Sequence, residues 1–473
     1  MNRKKVFLSL LLAAAMALGA FPALAQEAQA DLLVIGAGIS GLTAAIEAAD
    51  IGIENIVLID KLAYVGGSAF VSAGILGGYE TQKTKPLDLH VDPKDMYAEQ
   101  MREKHYTLDP ELTWITTEKS GETIDWLIDR IGVPFLDEVG TKDGYGTLET
   151  IHQVEGGGVS MRAPYMDALA ALPQIHLEIE TRATSLIVED GKVVGAVVDR
   201  NGEISEIRAD AVILCTGGYS SNRELFARLH PANAVFQQSA MPGSTGDGLM
   251  MATAVGAAVN NIDQLQVYLR EYNDMVSQTP YLYNLFVGLE GKRFMDEKRT
   301  AQTYNQEIKD DIVAQYGRDG VDYFYAINDH AAMEMFDLVE DAQTRPGVVI
   351  AETLEALAEK TGMDAEGLKQ TVETWNQSVA AGADAQFGRT RSMMPIGEGP
   401  YYALQTTFFS SVCHGGIVRN ALGEVVRSDG TAIPGLYASG EVTANASSNG
   451  YTISGAVTWG RIAARSAAAY ITE

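Results

Sequence analysis

A glycine-rich turn between a short apolar run and a helical segment constrains the fold of this chain more than any other feature. Residues 32–35 are uniformly apolar, as in buried parallel strands, and Gly36-x-Gly38-x-x-Gly41 follows them directly. Residues 42–49 have the pattern of a helix, and residues 56–59 form a second apolar run. This order of strand, turn, helix and strand predicts an α/β fold with a parallel sheet.

The three glycines have separate roles in such a turn. Gly36 allows the tight turn, Gly38 lets the backbone approach a pyrophosphate, and Gly41 lets the helix pack on the strand. The helix N-terminus presents free N–H groups to phosphates. Asp60 ends the second strand, where a carboxylate can accept hydrogen bonds from ribose hydroxyls. The pattern predicts a dinucleotide site, and by itself it leaves both NAD and FAD open.

Charge and cysteine content exclude several classes of function. The 473 residues carry a formal net charge of -27, and so large an acidic excess disfavours binding to nucleic acids and to anionic membrane surfaces. The only two cysteines, Cys215 and Cys413, match no metal-binding, redox or haem-attachment spacing. Cys215 ends an apolar run, which favours an inert core thiol, although a disulfide between the two stays open. No metal site is predicted.

The N-terminal segment predicts export. Residues 2–5 are basic, residues 6–18 are apolar, and Ala23-Leu24-Ala25 forms a cleavage site of the A-x-A type. We therefore interpret residues 1–25 as a signal peptide, with the mature chain starting near Gln26 in an extracytoplasmic or periplasmic space. The sequence offers no other run that is long and apolar enough to span a bilayer, so no integral span is expected after processing.

The remaining periodicity predicts a second structural region. Two apolar runs, 184–188 and 193–198, flank an Asp-Gly pair and predict a β-hairpin. Residues 299–316 and 354–380 each predict a long helix, inside a stretch rich in Tyr and Met. We interpret 263–411 as an inserted domain, after which the chain returns to strands and ends in a helix over 453–471.

Motifs along nearly the whole mature chain resemble one family in sequence and in order. They are Gly66-Gly67-Ser68, Ser72-Ala73-Gly74, Cys215-Thr216-Gly217-Gly218, Gly243-Ser244-Thr245-Gly246-Asp247-Gly248, Gly415-Gly416, Gly435-Leu436-Tyr437-Ala438-Ser439-Gly440-Glu441 and Gly460-Arg461. Together they resemble the flavoprotein subunits of the fumarate reductase and succinate dehydrogenase superfamily. The soluble exported branch, with flavocytochrome c fumarate reductases, urocanate reductases and related enoate reductases, is the nearest in pattern. The 3-ketosteroid dehydrogenases are more distant.

The resemblance implies a Rossmann-like FAD-binding domain, formed by 31–262 and 412–473, with an inserted α+β capping domain at 263–411. The FAD is expected to be bound non-covalently. By position in the family, the ADP half is held around the glycine turn, and the flavin is lined by the Gly-Gly-Ser and Ala-Gly motifs. Asp247 and Glu441 would bind ribose or ribityl hydroxyls. The full set of expected cofactor residues is Gly36, Ala37, Gly38, Ile39, Ser40, Gly41, Asp60, Lys61, Gly66, Gly67, Ser68, Gly74, Ala183, Thr216, Gly217, Asp247, Glu441 and Ile453.

The chain departs from the family at the dicarboxylate clamp of the fumarate reductases. Tyr268 stands where the first clamp histidine is expected, as in urocanate reductases, and Ser411 stands at the second. The loop that should supply the C-terminal clamp arginine contains none. The proton-donating arginine aligns with Ala301 without a gap, or with Arg299 after a short deletion, which a loop absorbs easily. These differences disfavour fumarate as the substrate.

The chemistry implied is hydride transfer from flavin N5 to an activated C=C bond, with protonation of the neighbouring carbon. Arg299 or Tyr268 is the candidate acid, and His414, Arg270 and Tyr451 are candidate substrate contacts. The expected substrate is an unsaturated carboxylate or enone. The chain has no second nucleotide motif and no haem motif, so electrons are expected from a separate cytochrome or FMN-bearing protein. A ketosteroid-type desaturating dehydrogenase and a non-catalytic flavin electron carrier remain as alternatives.

Overall fold

The computed structural model describes residues 25–104, 106–141, 148–231, 234–235, 237–238, 241–271, 285–298, 306–335, 337–444 and 450–472. The predicted signal segment and Arg299 therefore lie outside the described residues, apart from Ala25. The α-helices are Ile39–Asp50, Pro93–Glu103, Pro110–Glu118, Ser120–Trp126, Arg162–Ala170, Arg223–Leu229, Asp247–Ala254, Gln306–Asp319, His330–Met335, Val339–Ala342, Leu354–Thr361, Ala365–Ala381 and Thr452–Thr472. In the part described, no helix is long and apolar enough to cross a membrane.

A large sheet carries the glycine turn. Its strands run in the order Glu424–Val426, Ala432–Ala438, Glu203–Leu214, Ala25–Ile35, Ile56–Ile59 and Ile175–Glu178. The last five are parallel to one another, and the first is antiparallel to the second. The predicted hairpin is confirmed as the antiparallel strands Thr181–Glu189 and Lys192–Arg200, which join this sheet beside Glu203–Leu214. The α/β fold class predicted from the turn is confirmed.

Both faces of the parallel sheet are buried, which explains why its strands are continuous apolar runs. Leu32, Val34, Ile56 and Leu58 lie in one hydrophobic cluster, whereas Leu33, Ile35, Val57 and Ile59 lie in another. The first cluster includes residues of helices Ile39–Asp50 and Thr452–Thr472. Alternation along each strand therefore serves two cores.

A second sheet is built largely from the predicted insertion. Its central strand, Tyr401–Cys413, pairs antiparallel with Leu265–Glu271, Phe324–Asp329 and Val348–Ala351 and parallel with Gln237–Gln238, and Leu285–Val287 extends the sheet beyond Phe324–Asp329. The central strand runs past residue 411, so one continuous strand links the two regions. Two smaller sheets contain Ile75–Gly77, Ile151–Val154 and Phe135–Gly140, and Val259–Asn260 with Gly416–Ile417.

The long helix expected over 354–380 is two helices, and that prediction was wrong. The first helix, Leu354–Thr361, ends at Gly362, whose φ of 75° is left-handed. The second, Ala365–Ala381, begins after Asp364, whose carboxylate accepts the N–H of Gly367. A glycine C-cap followed closely by an aspartate N-cap is sufficient to break a helix whose apolar periodicity continues on both sides.

Candidate functional site

The geometry of the glycine turn depends on Gly36 and Gly41. Gly36 has a φ of +107°, and a Cβ there would lie 2.3 Å from the carbonyl oxygen of Cys215. A Cβ on Gly41 would lie 1.8 Å from the carbonyl oxygen of Gly36, so only glycine lets the helix start so close to the strand. A Cβ on Gly38, by contrast, would meet no protein atom within 4 Å. The open side of the turn faces a cavity.

Asp60 holds the turn in place from the neighbouring strand. Its Oδ2 accepts the N–H of Ala37 at 2.8 Å, and its Oδ1 accepts the N–H of Leu62 at 2.8 Å. Burial raises the pKa of Asp60, and these two N–H donors and the Lys61 ammonium oppose that rise. Each carboxylate oxygen can accept more than one hydrogen bond, so Asp60 retains acceptor capacity towards the cavity.

Asp247 lies between two cations at the same end of the cavity. Lys61 Nζ donates to its Oδ2 at 2.8 Å, and Arg182 Nη2 donates to its Oδ1 at 2.9 Å. Thr245 donates to Oδ1 at 3.1 Å and also accepts from Lys61. Burial would raise the pKa of Asp247, but the donors from Arg182 and Lys61 outweigh it and lower that pKa. Arg182 was not predicted, although it directly precedes the predicted Ala183.

Most residues of the predicted cofactor set, including Asp60 and Asp247, line one cavity. It has a volume of about 1780 Å³, part of it open to solvent. Three predicted residues do not line the cavity: Ala37, Gly41 and Gly66. Two of them contact each other, because the Gly66 N–H donates to the Ala37 carbonyl at 2.8 Å. The predicted residues that line the cavity are Gly36, Gly38, Ile39, Ser40, Asp60, Lys61, Gly67, Ser68, Gly74, Ala183, Thr216, Gly217, Asp247, Glu441 and Ile453.

Glu441 is a half-buried carboxyl on the cavity wall. Its Oε1 accepts the N–H of Cys413 at 3.0 Å, and a Cβ on Gly218 would lie 2.4 Å from the same oxygen. Burial raises the pKa of Glu441 to about 7, although two backbone N–H groups oppose the rise. Cys413 and Cys215 are both buried and free, so the structure holds no disulfide between them.

The residues present fit a bound dinucleotide. The Thr216 hydroxyl lines the cavity, is buried, and has no hydrogen-bond partner among the described residues. A buried polar atom of this kind requires a partner from a ligand or from water. Together with the open face of Gly38 and the N-terminus of helix Ile39–Asp50, it provides a cradle for phosphates and hydroxyls. The carboxylates of Asp60 and Glu441 can accept hydrogen bonds from hydroxyls of the cofactor.

The candidate catalytic residues are only partly described. Tyr268 and Arg270 lie two positions apart on strand Leu265–Glu271, opposite Phe409 and Thr407 respectively, and therefore share one face of that strand. Their side chains, like the whole of Arg299, lie outside what the structure describes. Their roles stay predictions.

His414 and Tyr451 are buried, and neither lines the cavity. His414 Nε2 lies 3.3 Å from Nζ of Lys104, a buried lysine that was not predicted and whose pKa burial lowers. The Tyr451 hydroxyl is 2.8 Å from the Thr150 hydroxyl. A Cβ on Gly77 would lie 1.9 Å from the Tyr451 ring, so that ring is held against a glycine. Their proposed contact with substrate is untested by this geometry.

Comparisons with known proteins identify the family of this chain. A family model described as an FAD binding domain matches residues 31–458. "Fumarate reductase (cytochrome)" of Shewanella frigidimarina is 30% identical over 453 residues, which cover 93% of this chain and 77% of that protein. "Urocanate reductase" of Eggerthella lenta is 30% identical, over 87% of this chain and 69% of that protein.

Solved structures agree with the fold. The open conformation of a flavocytochrome c3 fumarate reductase has a TM-score of 0.81 and 25% identity to this chain, and the match covers 100% of this chain and 82% of that one. A 3-ketosteroid dehydrogenase from Rhodococcus jostii has a TM-score of 0.73 at 24% identity, a likeness of fold alone, over 95% of this chain and 99% of that one. The family resemblance found in the sequence is thereby confirmed. The chain belongs to the FAD-binding family that includes these flavoproteins, and it is an FAD-dependent oxidoreductase of the class that acts on CH–CH and C=C bonds.

Proposed function

We propose that this chain is an exported FAD-dependent reductase of the C=C bond of an α,β-unsaturated carboxylate or enone. The names of its relatives support a reductase, because they include a fumarate reductase, a urocanate reductase and a "Vinyl phenol reductase" of Lactiplantibacillus plantarum, the last at 26% identity. Fumarate and urocanate are both unsaturated acids. Bound FAD would supply the hydride from its N5.

The observation that carries the proposal is the junction between the cavity and the second sheet. Val412 lines the cavity and pairs with Gln266 on strand Leu265–Glu271. The same strand continues through Tyr268 and Arg270, the predicted acid and one predicted substrate contact. Gly450 and Ile453 line the cavity as well, from the start of the C-terminal helix. A substrate held between the two sheets would therefore be near both the cofactor cavity and the backbone of this strand.

The substrate we propose is larger than fumarate. The two positions where the family has clamp histidines hold Tyr268 and Ser411, and residues 444–451 contain no arginine. A small dicarboxylate depends on such charged groups for both orientation and affinity. A tyrosine instead offers an apolar ring with one hydrogen-bonding end, which suits a flatter and less charged acceptor.

Two residues are proposed for the proton transfer to the carbon next to the hydride acceptor. Tyr268 can donate from its phenol, and Arg299 can act only if its surroundings keep the guanidinium close to the reacting carbon and away from water. The electrons are proposed to come from a separate redox protein, because the sequence contains neither a haem-attachment motif nor a second nucleotide motif. Export is proposed on the basic, apolar and A-x-A pattern of residues 1–25.

The test is a reoxidation screen. The chain from Gln26 onwards is loaded with FAD, reduced chemically under argon, and mixed with fumarate, urocanate, cinnamates and steroid enones while the flavin absorbance is followed. We expect fast reoxidation by a cinnamate, urocanate or a steroid enone and slow reoxidation by fumarate. Preferential reoxidation by fumarate would contradict the proposed substrate class.

The same preparation tests the alternatives of dehydrogenase and electron carrier. Oxidised enzyme is mixed with saturated ketones, because one relative is named "4-oxocyclohexanecarboxylate 2-dehydrogenase", at 25% identity. Bleaching of the flavin by a saturated ketone, with no enone reoxidising the reduced form, would replace the reductase by a dehydrogenase. A flavin that reacts with neither set, yet exchanges electrons with a redox protein, would be a carrier.

Variants assign the proton donor once an acceptor is known. Loss of a general acid lowers the rate by about 10²–10⁴-fold. We expect Tyr268→Phe or Arg299→Ala to cause such a loss in steady-state turnover at saturating acceptor. The matched control is Arg391→Ala, which removes an arginine with an exposed position in the same region. If both Tyr268→Phe and Arg299→Ala behave like this control, neither residue is the acid.

A further inference from the structure

Arg419 is a buried cation without a carboxylate partner among the described residues. It is 5% exposed, and within the part of the chain that the structure describes it forms no ion pair. Other buried arginines behave differently: Arg293 and Arg389 contact Glu297, and Arg461 contacts Glu47. A buried charge without a counter-charge is costly, so its retention calls for an anion from elsewhere.

Arg419 lines the cofactor cavity. Nη1 donates to the Thr443 hydroxyl at 2.7 Å, whereas Nε has no partner in the described part of the chain. The Cζ atom lies 4.0 Å from the centre of the Trp459 ring, and Trp459 is itself fixed by a 2.9 Å hydrogen bond from its Nε1 to Thr116. Arg419, Thr443 and Trp459 all line the cavity. The stacking on Trp459 and the hydrogen bond to Thr443 therefore hold the cation at the cavity wall, and they leave other N–H donors of the guanidinium available for a ligand.

The position of Arg419 indicates which part of the cofactor it would meet. Its charge acts on the Cys215 thiol, which lies 3.6 Å from the Ser40 hydroxyl. Ser40 belongs to the first turn of helix Ile39–Asp50, the helix that follows the glycine turn. A Cβ on Gly440, also on the cavity wall, would lie 3.1 Å from Ser40 Cβ. Arg419 is thus on the side of the cavity near the helix N-terminus, where a pyrophosphate would bind.

Charge accounting agrees with an anionic ligand at this place. Burial lowers the pKa of Arg419 to about 9, and the Cys215 thiol only partly opposes this shift. The side chain therefore still carries its charge at neutral pH, in surroundings that penalise it. Two other cations on the cavity wall, Lys61 and Arg182, already share Asp247. Arg419 is the cavity cation whose counter-charge the described protein does not supply.

We propose that Arg419 is a cofactor-binding residue that supplies positive charge to the pyrophosphate of FAD, beside the N-terminus of helix Ile39–Asp50. The guanidinium has the planar arrangement of donors that phosphate oxygens accept in pairs. The inference rests on FAD binding alone and not on the proposed substrate or direction of reaction, so it can fail while the reductase proposal stands.

The test measures FAD affinity and apoprotein stability in the same variants. Apoprotein of the chain from Gln26 is titrated with oxidised FAD, and its melting temperature is recorded without FAD. We expect Arg419→Met to weaken FAD binding by about 10- to 150-fold, the value of a charge-assisted hydrogen bond. The apoprotein of this variant should melt at or above the wild-type temperature, because the unpaired buried charge is gone. Arg419→Lys, which keeps the charge but not the fork, should bind FAD with intermediate affinity.

The control is Arg427→Met. Arg427 is eight positions along the chain, donates to the Val255 carbonyl at 2.9 Å and does not line the cavity. Its loss should leave FAD affinity unchanged. The midpoint potential of the bound flavin shows whether the cation acts at the pyrophosphate or at the isoalloxazine ring. A cation at the pyrophosphate stabilises oxidised and reduced FAD alike and leaves this potential unchanged.

Three results would overturn the proposal. Wild-type affinity in Arg419→Met would show that the cation does not meet FAD. An unchanged affinity for oxidised FAD with a lowered midpoint potential would place the cation at the isoalloxazine ring instead. A lowered apoprotein melting temperature, with weak FAD binding in Arg419→Lys as well as in Arg419→Met, would make Arg419 a structural residue.

Discussion

Replacement of Gly38 by alanine should separate folding from cofactor binding. The backbone at Gly38 has φ −73° and ψ 178°, which any residue can adopt, and a Cβ there would meet no protein atom within 4 Å. The methyl group would enter the cavity at the N-cap of helix Ile39–Asp50, where the pyrophosphate is proposed to bind. The substitution should therefore leave the stability of the apoprotein almost unchanged and should weaken the binding of the cofactor.

The magnitudes follow from the two environments. In the apoprotein, alanine is a poorer N-cap than glycine by about 0.5–1 kcal/mol, and the smaller entropy of the unfolded chain offsets this by about 0.4–1 kcal/mol. We expect a net change within about 0.5 kcal/mol. In the complex, an added methyl in a filled site costs about 1–3 kcal/mol, which weakens binding by about 5- to 150-fold.

The assay combines thermal unfolding of the apoprotein with titration by FAD. Gly41→Ala is the contrasting variant: its Cβ would lie 1.8 Å from the Gly36 carbonyl oxygen, so the apoprotein itself should be destabilised. Gly140→Ala is the matched control, because its Cβ meets no atom within 4 Å and Gly140 does not line the cavity. Wild-type FAD affinity in Gly38→Ala would refute the claim that the cofactor approaches this backbone closely.

Two further predictions concern stability. Burial lowers the pKa of His152 to about 4, whereas the same side chain protonates near 6.5 in the unfolded chain. Its contribution to the free energy of unfolding is therefore intact above pH 6.5 and falls by up to about 3 kcal/mol as the pH drops to 4. Denaturant unfolding at several pH values should show this slope reduced in His152→Gln and unchanged in the exposed control His176→Gln. Asp384→Ala removes a buried carboxylate 3.0 Å from Arg293 and should lower the free energy of unfolding by about 3–5 kcal/mol. The control Asp137→Ala changes a side chain that is 95% exposed and should alter this free energy by less than about 1 kcal/mol. Equal losses in these two aspartate variants would contradict the role given to burial.

Local sequence patterns predicted much of the FAD-binding sheet correctly. The turn at Gly36–Gly41 and the strands on either side of it are short-range features, because glycine positions and apolar runs act within a few residues. The hairpin between Thr181–Glu189 and Lys192–Arg200 was found for the same reason. The helix break at Gly362 was missed, since the apolar period on both sides masked the capping residues.

The environment of the predicted site residues could not be obtained in this way. Asp247 was expected to meet hydroxyls of the cofactor, and nothing in its local sequence indicated the Arg182 and Lys61 that contact it. Lys104 was missed beside His414 because 310 residues separate them in the chain. Arg419 stood out from no motif. Its significance depends on the lack of a carboxylate beside it among the described residues, and a sequence pattern carries no such information.

The sequence by itself determined a dinucleotide site, the parallel sheet and the positions of the glycines, because each depends on backbone geometry that neighbouring residues fix. The tertiary structure alone decided which charges are paired. Coulomb interaction and desolvation depend on distances across the fold, and strands far apart in the chain set those distances. The same acidic and basic residues that look alike in the sequence therefore differ inside the protein: Asp247 is neutralised by two cations, desolvation raises the pKa of Glu441 to about 7, and Arg419 lines the cavity without a carboxylate partner among the described residues.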